Sequence, residues 1–217
     1  MGGAFRTPPI VKNLMIINIL VFMAQELLPF GDEITRRFAL YYWESPQFGI
    51  WQYVTHMFLH GGISHIFINL FSLWMFGRIL EYDLGSKRFL VFYMLSGIGA
   101  GILYSCVNWI ELQAVADSAT SLELWRMINI PVVGASGAVY GILLGFGMIH
   151  PNSVIMLIFP PIPLKAKYFV LIFMGIELFL GLRGSDGIAH FAHVTGMISA
   201  FLLLRYWKAK GKIHYPR

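Results

Sequence analysis

Charge is what this sequence has least of. Only 12% of its 217 residues are Asp, Glu, Lys or Arg, about half the share carried by an ordinary soluble domain. Hydrophobic residues make up 57% and the mean hydropathy is +0.67. This excludes a water-soluble globule and indicates an integral membrane protein. Cysteine is scarcer still: Cys106 stands alone, so no intrachain disulfide can form. Its apolar neighbours make it a small packing residue rather than a redox centre. Polar stretches long enough for a separate soluble domain are also missing. At about 20 apolar residues per crossing plus loops, the length accommodates about six helices in one membrane domain over residues 1–217.

The apolar runs lie at about 11–28, 63–80, 89–107, 134–149, 166–182 and 188–204. The first is not followed by a small-x-small cleavage site, since Gln25-Glu26-Leu27-Leu28-Pro29 suits no processing enzyme, and is expected to stay as a helix. With both termini placed in the cytoplasm, 12 of the 16 basic residues fall on the inside and only Arg36, Arg37, Arg126 and Arg183 outside. The positive-inside rule therefore favours cytoplasmic N and C termini. The same asymmetry accounts for the net charge of +5 without any nucleic-acid partner, and Lys208, Lys210 and Lys212 are expected at anionic lipid head groups.

Two outer connections are long. The first, about 29–60, is rich in aromatics (Phe38, Tyr41, Tyr42, Trp43, Phe48, Trp51, Tyr53), as suits a segment lying in the membrane interface. The other, about 108–133, leads directly into Val132-Val-Gly-Ala-Ser-Gly-Ala-Val-Tyr-Gly141. Pro131 stops any incoming helix, Gly134 permits a turn, and a helix is expected from Ser136 to the His150-Pro151 pair. Ser136 then lies in a first helical turn, where unpaired N–H groups and the positive dipole end face any negative charge developing on a substrate carbonyl. Two readings fit: a nucleophile, or a serine that merely caps its helix.

The remaining polar residues of the apolar runs favour the nucleophile. The sixth run carries Ala189-His190-Phe191-Ala192-His193, and histidine within hydrocarbon is costly enough to indicate function by default, with polar packing between helices as the other reading. His193 precedes Gly196-x-x-x-Ala200, a small-residue face matched by Gly137, Gly141 and Gly145 on the fourth run. If those faces pack, Ser136 and His193 come within reach of each other. Tyr140 lies one turn below Ser136, placed to support the imidazole or simply to pack. On the second run His65 and Asn69 share a face at i, i+4, and with the Ser136 N–H they offer three donors for an oxyanion. Alternatively, they form an interhelical hydrogen-bonded pair. No metal is expected, because His60, His65, His190 and His193 have neither an H-E-x-x-H pattern nor a carboxylate at ligand spacing. No cofactor is implied.

These elements together resemble the rhomboid family of intramembrane serine proteases. In chain order they are His65-x-x-x-Asn69, Gly77-x-x-x-Glu81-x-x-x-Gly85, Gly134-Ala135-Ser136-Gly137, and Ala189-His190 through Ala200, so the resemblance covers nearly the whole chain. It implies an all-α, six-transmembrane-helix bundle with a water-filled cavity opening outward. It also implies a catalytic dyad of Ser136 and His193 without an aspartate, oxyanion stabilisation by His65, Asn69 and the Ser136 backbone, and Tyr140 stacked on His193. Gly134, Gly137 and Gly196 are supporting positions. His190, one turn out of register with the family histidine, is a supporting residue as well. Two departures stand out: the family's Trp-Arg pair in the first loop is here Trp51-Gln52, and Gly196-x-x-x-Ala200 replaces a Gly-x-x-x-Gly.

The expected activity is endoproteolysis of transmembrane-helix substrates that enter laterally past the fifth run, in a multi-pass protein of the bacterial inner membrane. Glu177 on that run is expected to hydrogen-bond to loop backbone, with a role in ion conduction as its rival reading. Two other classes remain: a catalytically inactive rhomboid-like protein that binds membrane helices, and a transporter. The first should lack the serine or the histidine, and the second should show paired repeats with broken helices.

Overall fold

The computed structural model describes residues 6–157, 161–183 and 190–213, and most of them are helical. Helix α1 (Pro9–Leu27) opens on Pro9, at a position where the missing N–H costs nothing. The next two amides, of Ile10 and Val11, donate to the Glu81 carboxylate at 3.0 and 2.8 Å. Helix α2 (Gly31–Phe38) has Asp32 and Glu33 in its first turn and Arg36 and Arg37 in its last, which suits its dipole. Helix α3 (Gln52–Thr55) runs into a 3-10 turn over His56–Phe58.

Helices α4 (Ile63–Ser72) and α5 (Arg78–Leu84) are one rod joined by a π-helical turn at Leu73–Gly77. Helix α6 (Ser86–Val115) has 30 residues, about 45 Å at the helical rise. It runs two turns past residue 107, into what the hydropathy pattern assigns to a loop. Helix α7 (Ser121–Ile128) starts from a capping box between Thr120 and Glu123. Helix α8 (Ser136–Ile149) has only 14 residues, about 21 Å. Helices α9 (Ala166–Arg183) and α10 (His190–Ala209) complete the chain; residues 188 and 189, read as the start of the sixth run, lie outside the described residues.

Between α8 and α9 the fold departs from all-α. Strands β1 (Val154–Met156) and β2 (Pro163–Lys165) pair antiparallel, with Ile155 opposite Leu164. The β-branched Val154 and Ile155 favour extension, and Pro163 stands at a strand end of a two-stranded ribbon, where its missing N–H is tolerated. Short segments of this kind give no clear periodic signal beside the long apolar helices.

Among the described residues, three helical segments are long and apolar enough to cross a membrane: Pro9–Leu27, Ile63–Leu84 and Ser86–Val115; Ser136–Ile149 is a shorter apolar helix. Large apolar side chains on the outside of the bundle, such as Leu20, Phe67, Ile102 and Leu202, are exposed, as expected for residues solvated by lipid tails. The protein is an integral membrane protein. Cys106 also points outward from α6, so it is not the buried packing residue that its apolar neighbours suggest.

The core centres on α8, packed between α6 and α10. A Cβ at Gly196 would stand 2.1 Å from the Gly137 carbonyl oxygen, so the α8 and α10 backbones are in direct contact there. Gly141 sits between Ser96 of α6 and Ala200 of α10, and Gly137 also meets Ala100 of α6. Gly145 faces Phe92 and Leu80, so the α8 glycine face serves α6 and α5 as well as α10.

Candidate active site

The segment that delivers Ser136 is extended and held on both sides. Leu40 and Val132 exchange backbone hydrogen bonds of 2.9 and 2.8 Å, and the Gly134 amide donates to the His56 carbonyl at 2.9 Å. Non-helical backbone at membrane depth is tolerable only when protein satisfies it in this way. The loop that supplies Leu40 and His56 is itself anchored. Gln52, fully buried, accepts from the Tyr41 amide at 3.2 Å and donates to the carbonyls of Gln47 at 2.8 Å and Arg37 at 3.2 Å. Trp51 Nε1 reaches the same Arg37 carbonyl, and Gln25 of α1 accepts from the His60 amide at 3.0 Å. A neutral carboxamide, which both donates and accepts, thus ties this loop together at the position where the family pattern has arginine.

Ser136 is the first residue of α8, directly after the N-cap Ala135, whose methyl side chain makes no capping hydrogen bond. Ser136 Oγ lies 2.9 Å from His193 Nε2, the contact that the nucleophile reading of Ser136 requires. Tyr140 stacks on the His193 ring, with centroids 4.3 Å apart and planes within 7°. The serine is half-buried and so reachable, while His193 is only 9% exposed.

Behind His193 stands Glu177. Its Oε2 is 2.8 Å from His193 Nδ1 and 2.6 Å from His190 Nδ1, and its Oε1 accepts from the Tyr140 hydroxyl. Its partners among the described residues are therefore side chains of α8 and α10 rather than loop backbone, which corrects the expectation drawn from its position. A carboxylate oxygen accepts, so the His193 proton is assigned to Nδ1, leaving Nε2 to accept from Ser136. His190 joins the site through the same carboxylate, its ring edge-on to His193 at 6.2 Å.

On the opposite side of Ser136, His65 and Asn69 follow one face of α4. The Gly61 amide donates to His65 Nδ1 at 3.2 Å, so the His65 proton is assigned to Nε2. That atom faces Gly134: a Cβ built there would stand 2.8 Å from His65 Nε2 and 3.4 Å from Ser136 Oγ. The space left open by Gly134, where φ is +131°, is thus bordered by both the serine hydroxyl and the His65 donor. Asn69 is buried and donates one amide hydrogen to the His65 carbonyl at 2.9 Å, leaving its second hydrogen for another acceptor.

Glu177, His190 and His193 also offer three potential metal-ligand atoms within 4.8 Å of one another. Carboxylate-to-imidazole distances of 2.6 and 2.8 Å are those of hydrogen bonds. Two ligands of a tetrahedral zinc, each about 2.1 Å from the metal, would stand about 3.4 Å apart. The atoms as placed suit protons better than a cation.

Sequence reasoning singled out Ser136, His193, Tyr140, His65 and His190, and the structure gathers them around one another. It missed what Glu177 touches. The available signal was an acidic residue in an apolar helix beside a run holding two histidines, but sequence carries no record of how α9 is rotated against α10.

A family model described as the Rhomboid domain matches residues 47–209. The chain is 28% identical over 223 aligned positions to rhomboid protease GlpG of Serratia proteamaculans, which covers 95% of this chain and 65% of that protein. It is 29% identical over 206 positions to GlpG of Yersinia pseudotuberculosis, covering 93% and 63% respectively. Against RHOMBOID-like protein 4 of Arabidopsis thaliana it is 32% identical over 153 positions, covering 70% of this chain and 33% of the relative. The chain spans less than two thirds of the length of each.

Proposed function

From the premise that this chain belongs to the rhomboid family, to which the match over residues 47–209 assigns it, we propose that it is a serine endopeptidase that cleaves membrane-embedded segments of other proteins. The observation that carries this is the 2.9 Å approach of Ser136 Oγ to His193 Nε2, at the start of a helix too short to span the bilayer. The likeness to rhomboid protease GlpG of Serratia proteamaculans and of Yersinia pseudotuberculosis supports placing the protein in a bacterial inner membrane. The charge asymmetry supports a six-span arrangement with both termini inside.

In this reading the substrate segment unwinds beside Ser136. Ser136 Oγ attacks the scissile carbonyl carbon, its proton passes to His193 Nε2, and the carbonyl π pair moves onto oxygen. His65 Nε2–H, the free Asn69 amide hydrogen and the Ser136 N–H are the donors available to that oxyanion. Each such donor contributes about 3 kcal/mol in well-studied cases. The C–N bond then breaks and Nε2 returns its proton to the leaving amine. A water attacks the acyl-enzyme through the same histidine, and Ser136 Oγ leaves with the returned proton.

The test uses wild type, Ser136→Ala and His193→Ala, purified in detergent, with a fluorogenic transmembrane peptide and a serine-directed fluorophosphonate. Cleavage by wild type alone, with labelling lost in Ser136→Ala, is the expected result. A folded wild type that neither cleaves nor labels would sink the peptidase reading and leave a helix-binding protein in its place.

A further inference from the structure

We propose that Glu177 completes a Ser136–His193–Glu177 relay, acting as a positioning residue that fixes the tautomer of His193 and balances the charge the imidazole acquires. The inference rests on the peptidase reading above and deepens it, since a dyad supplies neither function.

The geometry has three parts. The Glu177 carboxylate stands 2.8 Å from Nδ1, the nitrogen that does not face the nucleophile. That is where a carboxylate must be to keep the proton on Nδ1 and the lone pair on Nε2. Next, the carboxylate is itself oriented: His190 Nδ1 donates to the same oxygen and the Tyr140 hydroxyl to the other. Three donors converge on a group only 7% exposed, the pattern that satisfies an acceptor-only, ionised carboxylate. Finally, Tyr140 contacts both members, stacking on His193 with its ring and bonding Glu177 with its hydroxyl, so the rotamers of the pair are locked together.

The chemistry follows from the proton count. When Ser136 Oγ bonds to the substrate carbon, its proton moves to Nε2 and His193 becomes a cation in a poorly hydrated site. Glu177 stays ionised and keeps its hydrogen bond from Nδ1–H, so the ion pair forms without moving a heavy atom. A purely structural role, tying α9 to α8 and α10, would be fulfilled by the Tyr140 and His190 bonds alone and would leave the turnover rate insensitive to the carboxylate charge.

Three variants of the full chain separate these roles. Glu177→Gln keeps an acceptor for Nδ1–H but removes the charge, Glu177→Leu removes both, and Glu177→Asp keeps both at a shorter reach. With the transmembrane peptide, kcat is expected to fall about 10-fold or more in E177Q and about 100-fold or more in E177L. KM should stay within about threefold, because Glu177 stands at His193 Nδ1, on the side of the ring away from Ser136, and E177D should recover part of the rate. In parallel, 15N-histidine NMR of wild type, assigned with His193→Gln, should find His193 as the Nδ1–H tautomer, with the Nε2–H form appearing in E177L. Equal kcat in wild type, E177Q and E177L overturns the inference while leaving the peptidase reading intact. An Nε2–H tautomer in wild type also overturns it, and that measurement stands even if the variants do not fold. A wild type inert to both peptide and fluorophosphonate removes the peptidase reading and this one with it.

Discussion

A single methyl group is enough to test the space beside the nucleophile. Gly134→Ala would place a carbon 2.8 Å from His65 Cε1 and Nε2, on a backbone with φ of +131°. His65 would have to turn away, taking with it the donor that faces the serine. Cleavage by G134A is expected to fall about 100-fold or more, the size of a lost oxyanion donor, and steady-state kinetics on the fluorogenic peptide would measure it. The residues of this site were legible from sequence to unequal degrees. Ser136 lies beside a helix-starting turn, His193 is costly in an apolar run, and His65 and Asn69 share a face, so each carries a local signal. Glu177 carries one too, but its meaning depends on the rotation of α9 about its own axis, which no local pattern sets. Gln52 is the reverse case: read as a gap in the family pattern, it proves to hold its loop through three hydrogen bonds.

At the scale of the element, the start of α1 depends on a side chain from elsewhere in the chain. Glu81 is 2% exposed and accepts from the amides of Ile10 and Val11 and from the Ser86 hydroxyl at 2.6 Å. A carboxylate in that place satisfies amides that no helical carbonyl can reach and complements the dipole. Glu81→Ala leaves those donors buried without a partner, at about 1 to 3 kcal/mol for each group affected. Thermal unfolding in detergent should fall by several degrees, with Glu81→Gln intermediate because one amide oxygen still accepts. An unchanged midpoint in E81A would contradict this account. The apolar runs themselves were legible because burial in lipid demands long uninterrupted hydrophobic helices. The π-helical turn at Leu73–Gly77, the two extra turns of α6 and the short β ribbon were not, because packing and end effects decide them rather than hydropathy.

For the molecule as a whole, acid is the condition that should separate the first loop from the bundle. His56 and His60 both lie outside the spans. Burial pushes each from the ordinary 6.5 down to about 4, aided in His60 by the neighbouring His65 and opposed in His56 by its hydrogen bond to the Gln52 carbonyl. Above pH 6.5 both are neutral whether the chain is folded or not, and they contribute no pH dependence. As pH falls from 6.5 towards 4, the unfolded chain takes up protons that the folded loop refuses, so stability declines across that window. The loss is on the order of 3 kcal/mol per histidine near pH 4. A melting series from pH 7.5 to 4.5 should follow this decline, and His56→Gln should flatten it. A flat wild-type series would show that these rings are not held neutral. The loop packs directly on the backbone that delivers Ser136, through the Leu40–Val132 bridge and the Gly134–His56 bond, so the same window should see activity fall before the helices unfold.

Cys106 offers a practical consequence at this scale. One thiol in these 217 residues, facing outward two thirds of the way along the 30-residue α6, allows single-site labelling without prior engineering. A maleimide dye attached there counts chains one for one. A spin label there, paired with a single introduced cysteine on α9, would turn the distance between the central bundle and that helix into a directly readable ruler.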